Sequence, residues 1–271
     1  MKQISTKAKS WINLIVFLIT LILNYLTAYG FINGMSQKVV SNKYNTLITP
    51  AGFAFSIWGI IYSLIGISLI YMLVKGTETK VKNLIGILTP IILFNFLFNI
   101  LWNISFSYEK IGFSTICISV ILISLIFINK KLYIHRKEIE YRLTSVAFGI
   151  YAGWITIASF VNMLAFLVSI NWDGFGISQT IWASIILLII IVISILINMK
   201  LNNAVYFLPI AWAIFGIVIK INTAENTVIY GPYMMPLGIV GIVILILLSI
   251  IQFKKINTVL YKNRKQLFLY S

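Results

Sequence analysis

Charged side chains are scarce in this sequence, and acidic ones are the scarcest. Only 10% of the 271 residues are charged, and six Asp and Glu stand against 21 Lys and Arg. The acids fall between long apolar runs, at Glu78, Glu109, Glu138, Glu140, Asp173 and Glu225. Ion-coupled transporters usually hold a charged group at membrane depth, and hydrolytic or transfer chemistry needs charged or nucleophilic groups brought together. The sequence shows neither, which disfavours a secondary active transporter and a conventional hydrolase or transferase.

Cysteine and histidine occur once each. Cys117 lies inside an apolar run and has no partner for an internal disulfide, and His135 lies in a charged segment. One Cys and one His cannot assemble a metal site of the usual ligand number. The sequence therefore predicts no metal site, and it identifies no catalytic residue.

Hydrophobic residues make up 60% of the chain, more than the core of a soluble domain can bury. They form eight runs of about the 20 residues that cross a membrane. A spanning segment must satisfy its own backbone hydrogen bonds, so these runs predict an all-α integral membrane protein with about eight transmembrane helices. The runs are Trp11–Asn33, Ala51–Val74, Leu84–Ile104, Ile111–Asn129, Ser145–Val168, Ser178–Asn198, Ala204–Ile221 and Met234–Phe253.

Basic residues concentrate on alternate connections between the runs. Seventeen of the 21 lie on one side of the predicted membrane and four on the other. The positive-inside rule then places both termini in the cytoplasm, which requires an even number of spans. The net charge of +15 is thus explained by topology and by contact with anionic lipid headgroups, and we predict no nucleic-acid partner. The abundance of Ile, Asn and Lys suits a bacterium with AT-rich DNA, so we expect a bacterial cytoplasmic membrane.

The second run carries aromatic rings at one end. It opens at Pro50, in the first turn, where a helix tolerates proline best. Phe55, Trp58 and Tyr62 follow within the next turns. Such a cluster suits either a pocket for a flat apolar ligand or an aromatic belt at the membrane interface. The polar segment of residues 34–50, the longest on the outer side, leads into this end as a lid or a mobile loop.

Polar residues mark one face of the third run. Asn95, Asn99 and Asn103 follow each other at intervals of four, with Trp102 beside them. Hydrogen bonding between helices is the simpler interpretation of this stripe, at about 0.6 kcal/mol per contact. For Asn99 a role in ligand binding is an equal alternative.

The fifth run combines small and polar residues. Gly149 and Gly153 form a small-xxx-small pair, which predicts close packing against another helix. Tyr151, Trp154 and Asn162 lie in the same run, where a buried amide and a buried indole N–H both need partners.

Three of these clusters, in this order, resemble the tryptophan-rich sensory proteins of the TspO/MBR family, which includes the mitochondrial translocator protein. The second span of that family reads approximately P-x7-W-x2-L-Y and the third carries N-x-L-W. The fifth reads P-Y-x2-W, with Asn eight residues after the Trp. The matching residues here are Pro50, Trp58, Ile61 and Tyr62, then Asn99, Leu101 and Trp102, then Tyr151, Trp154 and Asn162.

The resemblance covers residues 1–172 as a five-helix unit. Residues 173–271 would add three transmembrane helices and a basic cytoplasmic tail. The sequence departs from the family pattern where Thr49 replaces a proline, Gly52 a tryptophan and Ile150 a proline.

The resemblance implies a helical bundle whose first outer loop closes over a pocket. In the family this pocket is associated with tetrapyrroles such as protoporphyrin and, in eukaryotes, with sterols and synthetic ligands. Trp58 and Trp154 would flank the ligand, and Lys38 and Lys43 would meet propionates. The predicted ligand-binding residues are Trp58, Trp154, Asn99, Trp102, Tyr151, Asn162, Phe55, Tyr62 and Pro50.

The favoured function is a membrane-bound sensory or regulatory protein for a hydrophobic, porphyrin-like small molecule, with no tightly bound cofactor. A permease component for a small hydrophobic compound is the alternative, motivated by the three extra spans and by Pro209 within one of them. A light- or oxidant-dependent tetrapyrrole-degrading enzyme ranks third, because only two indoles could perform that chemistry. The expected partners are the lipid bilayer and the ligand, and a homodimer is left open.

Overall fold

A computed structural model describes residues 4–135, 139–222 and 224–269, with side chains at 4–135, 140–222 and 232–256. In these residues the regular structure is entirely helical. The α-helices are α1 Thr6–Ala28, α2 Gln37–Lys43, α3 Ile57–Val74, α4 Thr79–Ser107, α5 Ile111–Ile134, α6 Arg142–Ser169, α7 Gln179–Leu201, α8 Phe207–Ile221 and α9 Ala224–Leu269. Short 3-10 turns lie at Gly52–Ser56, Ile139–Tyr141, Gly174–Gly176 and Ala204–Tyr206.

Eight of these helical segments are long and apolar enough to cross a membrane, which confirms the predicted all-α, eight-span architecture. The seventh span has the predicted bounds, Ala204–Ile221, and is the most deeply packed. Pro209 is the third residue of α8. The N–H groups in the first turn of a helix have no intrahelical partner. The missing N–H of Pro209 therefore removes no hydrogen bond, and the proline does not interrupt the span.

Several helix ends differ from the predicted run ends. α4 begins at Thr79 instead of Leu84, so Pro90 lies inside the helix and not near its start. The segment from Asn222 to Tyr233, predicted as a loop, is helical from Ala224. Hydrophobicity indicates which part of a helix lies within the hydrocarbon core of the membrane. It does not indicate where the helix ends, because polar residues can continue the same helix into the headgroup region.

The core is a series of neighbouring helix pairs. α4 packs against α1 on one side and α5 on the other, α5 packs against α6, and α6 packs against α3. The last three spans join this unit where α8 and the turn at Ala204–Tyr206 pack on α6. The division of the chain into two units at residue 172 stays a prediction. α6, which precedes this position, makes extensive contacts with α8 and with the turn at Ala204–Tyr206, which follow it.

The glycine pair of α6 lies at this junction, which confirms the predicted close packing. A Cβ on Gly153 would stand 2.0 Å from the carbonyl oxygen of Tyr206 and 2.6 Å from Cγ of Pro209. A Cβ on Gly149 would stand 2.4 Å from Nδ2 of Asn203. That amide donates to Oδ1 of Asn129 at 3.0 Å, so polar contacts also hold the last spans to α5 and α6.

Candidate functional site

A cavity of about 880 Å³ opens among the outer ends of α3, α4 and α6, between α2 and α8. Its residues come from the first outer segment, from the bundle and from α8. They are Ala28, Gln37, Lys38, Ser41, Asn42, Tyr44, Thr49, Pro50, Ala51, Gly52, Phe55, Trp58, Trp102, Phe106, Trp154, Ile157, Ala158, Val161, Asn162, Ala165, Ile219 and Lys220. Six of the nine predicted ligand-binding residues therefore line one cavity.

Three indole rings, Trp58, Trp102 and Trp154, form what we call the tryptophan cluster. Trp58 is central, with its ring centroid 6.3 Å from Trp102 in a stacked arrangement and 6.2 Å from Trp154 in an edge-on arrangement. Phe55 meets the edge of Trp154 at 5.7 Å. The rings come from α4, α6 and the start of α3, so three separate elements build one aromatic wall.

The other three predicted residues, Asn99, Tyr62 and Tyr151, lie about one helical turn deeper and are not among the lining residues. Asn99 donates through Nδ2 to the Tyr151 hydroxyl at 2.8 Å. Asn24 donates to Oδ1 of Asn99 at 3.1 Å and to the Tyr62 hydroxyl at 2.6 Å. Tyr62 stacks on Trp58 at 5.1 Å, so this polar layer supports the tryptophan cluster from below.

Asn162 fixes the position of Trp102. The indole Nε1 of Trp102 donates to Oδ1 of Asn162 at 2.9 Å. The Asn162 amide donates in turn to Oγ1 of Thr115 at 2.7 Å and to Oγ of Ser114 at 3.0 Å. With its polar atoms engaged in this way, Asn162 braces a wall of the cavity that it also lines.

The indole N–H of Trp154 behaves differently. The side chain is 2% exposed, and its Nε1 atom has no hydrogen-bond partner. A buried donor without an acceptor costs about 1–3 kcal/mol. Trp154 also lines the cavity, but its Nε1 atom has almost no exposed surface, so a ligand acceptor would satisfy the N–H only after the indole turns this edge towards the cavity.

α8 forms part of the wall and holds the segment that leads into α3. The backbone N–H of Ala51 donates to the carbonyl of Gly216 at 3.1 Å, and Trp212 donates through Nε1 to the carbonyl of Ala54 at 3.0 Å. A Cβ on Gly216 would stand 2.9 Å from Cβ of Ala54. Lys220, on the cavity rim, donates to the carbonyl of Thr49 at 3.1 Å. One span outside the predicted five-helix unit, α8, thus shapes the cavity.

The predicted lid contains the helix α2, which covers the cavity and is attached at both ends. Gln37 donates through Nε2 to the side chains of Thr27 and Asn103, which are both buried. At the other end Glu109 accepts from Lys43 and, at 2.7 Å, from the Tyr44 hydroxyl. Of the two lysines predicted to meet propionates, Lys38 lines the cavity, whereas Lys43 is paired with Glu109.

This ion pair makes the attachment of α2 depend on pH. The hydrogen bond from Lys43 lowers the pKa of the Glu109 carboxyl, and the same bond raises the pKa of Lys43. The contribution of Glu109 is present above the ordinary carboxyl pKa and is lost as pH falls through the lowered value. The contribution of Lys43 is present below the ordinary lysine pKa and is lost as pH rises through the raised value. The attachment is therefore strongest around neutral pH.

Glu109→Gln is expected to loosen α2 at neutral pH. The variant removes the ionic contact, so the amide of Val40, which donates to the carbonyl of Ser36 at 3.1 Å, should exchange with solvent severalfold faster. Hydrogen exchange normalised to intrinsic rates would measure this. Glu78→Gln is the matched control, because it removes another exposed Lys–Glu pair, 2.8 Å long, outside α2. Unchanged protection of Val40 in Glu109→Gln would show that the pair does not hold the helix.

Several residues that line the cavity were not predicted, although the sequence spacing of some of them could have identified them. Ala158, Val161 and Ala165 follow Trp154 at helical intervals of four, seven and eleven, so they share its face. Gln37 and Lys220 had no such signal, because the positions of α2 and α8 over the bundle depend on tertiary packing.

Eight membrane-spanning helices, with a cavity walled by tryptophans under an outer helix, define a multi-span membrane protein with an internal, ligand-sized site. A family model described as TSPO-like protein matches residues 10–251, from the first span into the eighth. The chain belongs to this family, which confirms the resemblance found in the sequence. No curated protein and no solved structure matches the chain.

Proposed function

We propose that this membrane protein binds a flat, hydrophobic small molecule of the tetrapyrrole class in the cavity under α2 and acts as its sensor or regulator. The observation that carries the proposal is the tryptophan cluster, three indoles from three elements on one wall. Membership of the TSPO-like family supports a ligand-binding role in a membrane.

The size and surface of the cavity suit such a ligand. Its volume of about 880 Å³ lies within the range of pockets that bury a small molecule or cofactor. Indole faces present large, rigid contact areas, and each aromatic pair contributes about 0.5–1.5 kcal/mol beyond area burial. Two stacked rings, Trp58 and Trp102, together with the edge of Trp154, favour a planar molecule over a flexible chain.

The polar groups of the cavity are distributed unevenly. The tryptophan cluster makes one wall apolar, whereas Gln37, Lys38 and Asn42 of α2 make the cover polar. Lys220 stands at the rim from the opposite side, bonded to Oδ1 of Asn45 at 2.7 Å. A ligand with an apolar ring system and peripheral carboxylates, such as a porphyrin with propionates, would match this polarity.

Trp154→Phe is expected to weaken binding of protoporphyrin IX about two- to tenfold, the effect of one hydrogen bond. The substitution keeps an aromatic ring and removes a donor that has no partner in the protein, together with the packing of the second indole ring. Loss of the unpaired donor and loss of packing act in opposite directions, so thermal stability without ligand should change little. Quenching of tryptophan fluorescence in purified protein would measure the affinity.

Trp182→Phe is the matched control for this experiment. Its Nε1 atom donates to the carbonyl of Gly174 at 2.8 Å, in the outer loop and away from the cavity, so it should leave the affinity unchanged. Absence of saturable quenching in the wild-type protein would reject tetrapyrroles as the ligand class. Equal affinity of Trp154→Phe and wild type would reject the hydrogen bond at this wall.

Transport is the second candidate, and the contribution of α8 to the cavity favours it. Ile219 and Lys220 bring a span outside the five-helix unit to the binding site, as a translocation path would require. Pro209 no longer supports this alternative, because it lies in the first turn of α8. Uptake of protoporphyrin IX into proteoliposomes would establish transport, whereas saturable binding without flux supports the sensor.

A further inference from the structure

A second cavity, of about 690 Å³, lies at the opposite end of the bundle from the tryptophan cluster. It is formed where α1 and α4 begin and where α5 ends. By the distribution of basic residues, this is the cytoplasmic side of the membrane. The proposed function uses none of its residues.

The wall of this cavity is rich in hydrogen-bond donors. Lys9 and Lys82 contribute two ammonium groups, and Asn83 contributes an amide. The hydroxyl of Ser5 accepts from the N–H of Ala8 at 3.2 Å, so its own proton is available for donation. Among the side chains described in the structure, none that lines this cavity is acidic.

Nearby charges leave this positive character in place. Lys80 also lines the cavity, and its ammonium group lies 3.7 Å from the carboxylate of Glu140. The first turns of α1 and α4 contain no acidic residue, and Glu78 at the N-cap of α4 is paired with Lys75, so the positive ends of both helix dipoles add to the field of the lysines. A phosphate group would meet donors and positive charge from two helices.

The cavity changes character with depth. Lys82 and Asn83 lie in the first turns of α4, whereas Gly86 and Ile87 lie about one turn further towards the membrane interior, some 10 Å from the helix start. A Cβ on Gly86 would meet no atom within 4 Å, so the cavity is open beside this glycine. Donors at the entrance and open apolar space below are the arrangement that a phospholipid headgroup and its acyl chains require.

We infer that this cavity binds a phosphate group, and that an anionic phospholipid of the cytoplasmic leaflet is its source. Basic pockets between spanning helices on this side of a membrane recognise anionic headgroups by their charge. Lys9 and Lys82 are the determinants of phosphate binding. Gly86 determines the preference for a lipid over a free phosphate, because only an acyl chain reaches it.

The test uses the full chain in detergent, with three probes followed by native mass spectrometry: short-chain phosphatidylglycerol, the matching phosphatidylcholine and inorganic phosphate. Lys9→Gln combined with Lys82→Gln should weaken phosphatidylglycerol binding about thirtyfold, because each lysine near a headgroup contributes roughly fivefold. Lys254→Gln combined with Lys255→Gln is the matched control. It removes the same charge from exposed positions on the same side, outside the cavity, and should change binding far less.

Gly86→Leu separates the two sources of phosphate. The added side chain enters open space, so it should weaken phosphatidylglycerol binding and leave inorganic phosphate unaffected. The lipid assignment would be overturned if the wild-type protein bound phosphatidylglycerol no more tightly than inorganic phosphate, and if the Lys9/Lys82 variant lost the binding of inorganic phosphate. Equal losses in the two double variants, or equal binding of phosphatidylcholine and phosphatidylglycerol, would overturn the site itself. Thermal midpoints without added probe verify that each variant is folded.

Discussion

Gly153→Val is expected to prevent this protein from accumulating in a folded form. The new Cβ would stand 2.0 Å from the carbonyl oxygen of Tyr206, a distance at which the backbone of one helix or the other must move. A backbone atom cannot rotate away as a flexible side chain can, and Pro209 blocks the adjacent space at 2.6 Å. Overpacking of this kind costs about 3 kcal/mol or more. The yield and thermal midpoint of the protein in detergent would measure the loss.

Gly59→Ala is the matched control for that variant. Gly59 also lies in a spanning helix, but a Cβ there would meet no atom within 4 Å. Alanine at such a position removes the cost of glycine in a helix, so stability should stay equal or rise slightly. A wild-type midpoint for Gly153→Val would mean that α6 and the turn at Ala204–Tyr206 are further apart than the structure shows.

Gly153→Val is expected to affect both the packing of the bundle and the ligand site, because Gly153 lies between the first five spans and the last three. The same junction holds the hydrogen bond between Asn203 and Asn129, and α8 continues from it to the wall of the outer cavity. A displacement of α8 would therefore also move Gly216 away from the backbone of Ala51, with which it shares a hydrogen bond. Loss of packing near mid-membrane and loss of the ligand site are expected together.

The number and type of spans were predictable, because a helix of about 20 apolar residues is the simplest way for a chain to cross a bilayer. The ends of the helices were not predictable in the same way. Thr79 and Ala224 begin helices in polar sequence, where hydrophobicity does not mark the boundary. The short helix α2 was hidden for the same reason, although Ser36 caps it by accepting from the N–H of Val39.

For the candidate site, the sequence predicted the parts that depend on spacing along one helix. Trp58 and Tyr62 are one turn apart, as are Asn99 and Trp102, and the structure places all four around one aromatic and polar cluster. The contribution of α8 to the cavity wall was not predictable. The contact of Gly216 with Ala54 and the hydrogen bond from Trp212 to Ala54 both join segments about 160 residues apart in the chain. Those contacts depend on how the last three spans pack.

Trp58→Ala is expected to produce the largest loss of ligand binding of any single substitution at the outer cavity. Its ring contacts Tyr62, Trp102, Tyr151 and Trp154, with centroid distances between 5.1 and 6.3 Å. Removal of a central aromatic anchor costs about 2–4 kcal/mol of binding, which corresponds to a loss of at least about thirtyfold. Titration of purified protein with protoporphyrin IX, followed by porphyrin absorbance, would measure it without relying on the tryptophan signal.

Two further variants separate the loss of an anchor from a loss of fold. Trp58→Phe retains an aromatic face between Trp102 and Trp154 and should recover most of the affinity. Trp11→Ala removes an indole that is 47% exposed on α1, outside the cavity, and should bind like wild type. If Trp58→Ala is folded and binds the porphyrin as tightly as Trp11→Ala does, the ligand does not lie against this ring. The tryptophan cluster would then be packing that stabilises α3 against α4 and α6, and the sensor proposal would lose its binding site.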